Sequence, residues 1–288
     1  MAKREVDQPT GVEKVGHEWD GIEELDNPLP KWWVWCFYVT VAWAVAYMIA
    51  MPSVPLISSY TKGLLGHSQR ASVAQDLADA QAERAPYLAR LAQQDLDAIA
   101  ADPELLAFAM AGGKSLFAVN CSQCHGSGAQ GAPGYPNLND DDWLWGGTLD
   151  EIADTIRFGI RSGHDEERAN EMPAFGRDEL LERGEIADVT EYVLALGGRE
   201  ADRAAAERGE AVFAEQCVSC HGEKGVGLPE MGGPNLADAI WLYGGERETI
   251  RESIANSRNG VMPAFDGKLD DATLRQLAIY VHRLGGGQ

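Results

Sequence analysis

From Trp32 to Met51 the chain is apolar at almost every position, and Thr40 is the one clearly polar residue in the run. At about 1.5 Å per helical residue such a run reaches roughly 30 Å, the thickness of a bilayer's hydrocarbon core. Trp32, Trp33 and Trp35 cluster at one end and Tyr47 lies near the other, as interfacial aromatic residues do. Pro52 and Pro55 close the helix. The pattern then changes. From about Ser68 to Ala111 the chain is polar and Ala-rich, and Val73, Leu77, Leu88, Leu91, Leu96 and Ile99 give it a broken helical period. Asp102-Pro103-Glu104 reads as an N-cap, a proline at the first helical position and an acid in the first turn. Helical spacing recurs in Leu149–Gly159, Glu185–Leu196, Glu246–Ala255 and Asp271–Leu284, with Gly197 and Gly285 where helix C-termini favour glycine. No stretch sustains the alternation of a strand, so the expected class is all-α.

The second half is an internal repeat. Gly113-Lys114-Ser115-Leu116-Phe117-Ala118 resembles Gly209-Glu210-Ala211-Val212-Phe213-Ala214. Pro136-Asn137-Leu138 returns as Pro234-Asn235-Leu236, and Trp143-Leu144-Trp145-Gly146-Gly147 as Trp241-Leu242-Tyr243-Gly244-Gly245. Met172-Pro173-Ala174-Phe175 returns unchanged as Met262-Pro263-Ala264-Phe265. Tyr192-Val193 before Leu196-Gly197-Gly198 matches Tyr280-Val281 before Leu284-Gly285-Gly286. The predicted organisation is therefore a lead (1–31), a transmembrane helix (32–51), a helical linker (52–107) and two small domains (108–199 and 200–288).

Each repeat contains a Cys-x-x-Cys-His pentad: Cys121-Ser122-Gln123-Cys124-His125 and Cys217-Val218-Ser219-Cys220-His221. Thiols at i and i+3 can each form a thioether to a haem vinyl group, and the adjoining histidine is then held against the iron. A four-cysteine zinc ribbon needs its pairs about 15–20 residues apart, far closer than these. A thioredoxin-like dithiol needs no adjoining histidine and sits in a βαβ pattern that the sequence lacks. The expected cofactors are two covalently bound haem c groups, tied by Cys121, Cys124, Cys217 and Cys220 and ligated by His125 and His221. Domains this small bury little apolar surface of their own, and the haem supplies part of the core.

The repeated Met-Pro-Ala-Phe supplies candidate sixth ligands, Met172 and Met262. A thioether suits reduced iron, and Met/His ligation raises a haem's potential. Methionine is more often core filler, but four identical residues at matched places argue for a ligand loop, stiffened by Pro173 and Pro263. His164 is the competing ligand for the first iron, and its charged loop favours solvent. Met110 and Met231 fall at unmatched places and read as packing or surface residues. Spacing leaves open whether each methionine serves its own domain's haem or the other's.

The first 31 residues carry four Lys/Arg against eight Asp/Glu, which is not the short basic leader of a signal peptide. The apolar run is also longer than a usual signal core. It reads as a retained anchor, although Ala44-Val45-Ala46 resembles a cleavage site. Cys36 within it is an apolar packing residue. Lys3, Arg4, Lys14 and Lys31 before the span, against Lys62 and Arg70 after it, favour a cytoplasmic N-terminus. Haem c is attached outside the bacterial plasma membrane, which puts the repeats in the periplasm. The whole chain has a formal net charge of −21. Such a surface either attracts a basic redox partner or serves ordinary solubility; it argues against nucleic-acid binding, and no glycine-rich phosphate loop appears.

The run from Gly16-His17-Glu18-Trp19-Asp20-Gly21 through Asn27-Pro28-Leu29-Pro30-Lys31-Trp32-Trp33 closely resembles the segment before the membrane helix in subunit III of cbb3-type cytochrome c oxidases. The resemblance extends over lead, anchor, linker and both repeats. It implies one N-terminal transmembrane helix followed by two tandem cytochrome c-type haem domains. It implies a non-catalytic electron-transfer subunit of a terminal oxidase. Electrons would come from a donor cytochrome c or the bc1 complex. They would pass to a monohaem subunit and then to the haem–copper catalytic subunit that reduces oxygen to water. The resemblance also implies the inner membrane, with its lipid, as the site of work. Two rival expectations stand beside it: a dihaem peroxidase, which needs one exchangeable iron position, and a membrane-tethered dihaem cytochrome serving another respiratory dehydrogenase or reductase.

Overall fold

The computed structural model of the chain describes residues 5–285. Lys3 and Arg4, counted among the charges flanking the span, and Gly286 of the second Leu-Gly-Gly lie outside them. The chain divides into two compact units, 1–82 and 83–288.

In the first unit, strands β1 (Lys14–Trp19) and β2 (Ile22–Leu25) form an antiparallel hairpin, with Trp19 opposite Ile22 and Glu18 opposite Glu23. The hairpin lies in a lead where the sequence showed no sustained strand alternation. Its cause is the two-residue turn Asp20-Gly21, in which both residues adopt positive φ (49° and 86°), the turn that matches strand twist. Its strands mix charged and apolar residues without clean alternation, so periodicity did not reveal them. A salt bridge of Lys14 Nζ to Glu23 Oε2 (2.5 Å) crosses the hairpin. Helix α1 (Lys31–Ala50) follows, with no buried residue of its own, and is long and apolar enough to cross a membrane.

The second unit begins within α2 (Gln69–Gln93) and continues through α3 (Leu96–Ala101) and α4 (Pro103–Asn120). Asp102 caps α4, its carboxylate accepting from the amides of Glu104 (3.0 Å) and Leu105 (3.2 Å). The short helix α5 (Ser122–His125) carries the first pentad, and α6 (Leu149–Phe158) starts on a capping box between Thr148 and Glu151. Then come α7 (Arg183–Leu196), α8 (Arg203–Gln216), α9 (Val218–His221), α10 (Arg247–Asn256) and α11 (Asp271–His282).

The units of packing are not the units of duplication. Helix α11, the last of the second repeat, packs on α4 and α6 of the first. Helix α7, the last of the first repeat, packs on α8 and α10 of the second. One lobe is thus built from α3, α4, α5, α6 and α11, around Leu91, Ile99, Leu105, Phe117, Leu277 and Ile279. The linker residues Leu91, Leu96 and Ile99 belong to this core. The other lobe holds α7 to α10 around Phe175, Val189, Val193, Phe213 and Ile254. The short link Gly197–Asp202 favours α7 and α8 as neighbours.

Both crossings use the same device. Gly113 of α4 lies against Gln276 and Tyr280 of α11, and its counterpart Gly209 of α8 against Asp188 and Val189 of α7. A Cβ at either place would overlap the facing backbone. Beside each glycine an aromatic pair closes the crossing: Phe117 with Tyr280 (5.5 Å between centroids) and Phe213 with Tyr192 (5.1 Å). Charges add to it. Arg157 of α6 reaches Asp266 (3.2 Å) and Asp271 (2.6 Å) at the start of α11, and Arg247 of α10 reaches Glu191 of α7 (2.5 Å).

Candidate functional site

Each pentad forms at the end of an amphipathic helix. Cys121 ends α4 and Cys217 ends α8, both in the right-handed helical region, and a single further turn presents Cys124-His125 and Cys220-His221. The chain then reverses at Gly126 (φ 82°) and Gly222 (φ 74°), a conformation only glycine adopts freely.

The histidine orientation is fixed by the repeated Pro-Asn-Leu. His125 Nδ1 lies 3.1 Å from the Pro136 carbonyl and His221 Nδ1 3.0 Å from the Pro234 carbonyl. A carbonyl can only accept, so Nδ1 carries the proton in both rings and Nε2 keeps its lone pair. Burial pushes both imidazoles below the usual histidine pKa, against the smaller opposing effect of those carbonyls. Neutral imidazole with an orienting bond behind it is the form that ligates a metal. The repetition of Pro-Asn-Leu was visible in the sequence; its role was not, because the contact is made by a backbone oxygen.

Both pentads line one cleft of about 390 Å³ in the second unit. Its walls are largely apolar, with Phe117, Ile156, Phe213 and Ile254 among them. Cys121 and Cys217 are pushed by burial, and then by their neighbouring cysteines, up to about 11. A dithiol built for exchange has its thiol pKa lowered, so these are poorly suited to that chemistry. The four thiols are free rather than joined in disulfides. Among the described residues no cluster of three or more His, Cys, Asp or Glu is arranged for a metal ion alone. Two buried polar atoms on the cleft wall, Trp241 Nε1 and Thr155 Oγ1, have no hydrogen-bond partner among the described residues. An apolar cleft with paired thiols, two aimed imidazoles and orphaned donors fits a large planar group with a few polar substituents.

Met172 and Met262 both line this cleft. Met262 packs against the core that contains Cys121, and Met172 against the core that contains Cys217. Each methionine and the phenylalanine three residues after it therefore pack on the core that the other repeat's first pentad cysteine also packs on. Met262 forms a two-way backbone bridge with Ile160, with N–H to O distances of 2.9 and 3.0 Å. The Met172 amide donates to Asn259 Oδ1 (3.2 Å), and its carbonyl accepts from Ser257 Oγ (2.7 Å) and Asn259 Nδ2 (3.2 Å). His164 lies outside the cleft wall, 3.8 Å from Asp266 and against Phe158. Met110 packs in the first core. Met231 does line the cleft, a placement its unmatched position gave no reason to expect.

One carboxylate on the wall is unusual. Asp142 is pushed up to about 6, chiefly by burial and then by Asp238, Asp140 and Asp141.

The chain was compared with known proteins. A family model described as cytochrome c oxidase, cbb3-type, subunit III matches residues 108–193 and 204–281. A model of the N-terminal domain of cytochrome oxidase-cbb3, FixP, matches residues 11–58. The chain is 52% identical to the cbb3-type cytochrome c oxidase subunit FixP of Bradyrhizobium diazoefficiens, over 99% of this chain and 98% of that one. It is 50% identical to the subunit CcoP of Azospirillum brasilense over the full length of both. It is 52% identical to CcoP of Cereibacter sphaeroides over 95% of each.

Proposed function

The chain belongs to the cbb3-type cytochrome c oxidase subunit III family, and on that premise we propose that it is the membrane-anchored, dihaem electron-transfer subunit of such an oxidase. The observation that carries the reading is the pair of Nδ1-anchored histidines, each aimed into a cleft whose wall includes Met172 and Met262. Haem c, when bound there, supplies a one-electron iron couple. Cys121 and Cys124 would tie one group and Cys217 and Cys220 the other. His125 and His221 would present Nε2. Met262 would complete the iron of the first pentad and Met172 that of the second, because those are the cores they pack against. With His125, Met262, His221 and Met172 all engaged, neither bound haem would keep a place for oxygen, and reduction of oxygen would fall to a haem–copper partner subunit. The apolar walls keep water away, which favours the less charged reduced state.

α1 anchors the chain in the membrane. The haem lobes belong on the periplasmic side and the N-terminal hairpin on the cytoplasmic side. A monohaem subunit would receive the electrons, and a basic donor cytochrome or the bc1 complex would supply them.

Met262→Leu and Met172→Leu test the ligand set. Each is expected to abolish the near-red sulfur-to-iron band of one ferric haem, lower that haem's potential and open it to carbon monoxide. In the ferric wild type, the Met262 methyl should show nuclear Overhauser contacts with Ile152 and Ile156, whereas contacts with Ile250 and Ile254 would place it on the other iron. Unchanged bands and potentials in both variants would overturn the assignment.

A further inference from the structure

The two crossing loops are clasped to each other. Residues 160–161 meet 260–262, and Met172 meets Ser257 and Asn259. At the centre of the clasp is Arg161. Its Nε donates to the Gly260 carbonyl (2.8 Å) and its Nη1 to the Asn170 carbonyl (2.7 Å). Each of those carbonyls stands two residues before a methionine, Gly260 before Met262 and Asn170 before Met172. One planar fork therefore spans the approaches to both methionines.

The backbone at Arg161 is bent to allow this. Its φ is +47°, the left-handed region that a bulky side chain rarely occupies. Two bonds hold it there: its own amide donates to the Arg168 carbonyl (3.0 Å), and the neighbouring Ile160 is bridged to Met262. The side chain is half-buried and lines the cleft. A buried guanidinium is costly unless its donors are used, and here two are used on backbone oxygens of different loops. Glu171, Tyr243 and Glu167 lie close enough to influence its charge.

We infer that Arg161 is a positioning residue for both methionines, joining the two loops so that neither can leave its iron without loosening the other. The inference rests on Met172 and Met262 as ligands. It adds a mechanical dependence between two sites that pairwise ligation does not require. Lysine at this position keeps a positive charge but cannot hold two carbonyls in a fixed fork.

The test uses the full membrane-anchored chain carrying its haems. Arg161→Lys and Arg161→Ala are compared with Met172→Leu and Met262→Leu by near-red absorption and spectroelectrochemistry. The expected result is that both Arg161 variants weaken the sulfur-to-iron band of both haems and lower both midpoint potentials, while each methionine variant abolishes one band. In the wild type, heating should remove the two bands in one transition. The inference is overturned by a shift confined to one haem, by no shift at either, by full recovery with lysine, or by two separate thermal transitions in the wild type. If the methionine variants themselves leave both bands intact, the ligand assignment fails instead, and the two failures are distinguishable.

Discussion

At the scale of single residues, the chemistry of the site comes from what each side chain is denied. The two histidines are denied a second proton by burial and denied rotation by a proline carbonyl. Asp142 is denied easy ionisation by burial and by the acids around it. Because its folded-state pKa is raised to about 6, the folded chain holds that proton more tightly than the unfolded chain. The stability it contributes is present in acid and is lost as the pH rises through about 6. The same ionisation puts a negative charge on the cleft wall, which would favour the ferric state of a haem held there. Potentials measured from about pH 5 to pH 7 are therefore expected to fall with rising pH, and Asp142→Asn should flatten that slope. A slope of equal size in the variant would exclude Asp142 as the group responsible.

At the scale of elements, helix positions were legible because their apolar spacing, caps and terminal glycines agree. The observed α7 and α11 each lie within about two residues of the spans read from the sequence. Their partners were not legible. A helical stripe states that one face is buried and says nothing of what covers it, and two near-identical repeats offer two near-identical covers. The clue lay in the short link between α7 and α8. The hairpin was missed for a different reason: its signal is a Asp-Gly turn between strands too polar to show a period. The matched glycines make the helix crossings testable. Gly209→Ala gains helix propensity worth about 1 kcal/mol, but its methyl meets the Asp188 carbonyl, backbone that cannot turn aside. A net loss of about 1–3 kcal/mol is expected. Calorimetry should show it as a melting temperature lower by several degrees.

At the scale of the whole molecule, charge and anchoring set the working conditions. A chain with a net charge of −21 repels acidic proteins and draws basic ones. Reduction by a basic donor cytochrome should slow as ionic strength rises toward about 0.15 M, where charges separated by more than about 8 Å are largely screened. A stopped-flow rate independent of salt would show that surface charge does not guide the encounter. The helix long and apolar enough to cross a membrane and the family were both legible in the sequence, since each depends on residues close together in the chain. The Arg161 fork and the crossed methionines were not, since they join residues brought together only by folding.

The exchange of helices between lobes also bears on the order in which the protein is made. Residues 172–256, one unbroken stretch, contain every helix of the lobe around the second pentad. The lobe around the first pentad needs α11, more than a hundred residues downstream of α6. As the chain emerges from its N-terminus, the second lobe has all its parts while the first still lacks a wall. The earlier-born pentad is the later to be enclosed, and its thiols are the last to lose their access to solvent.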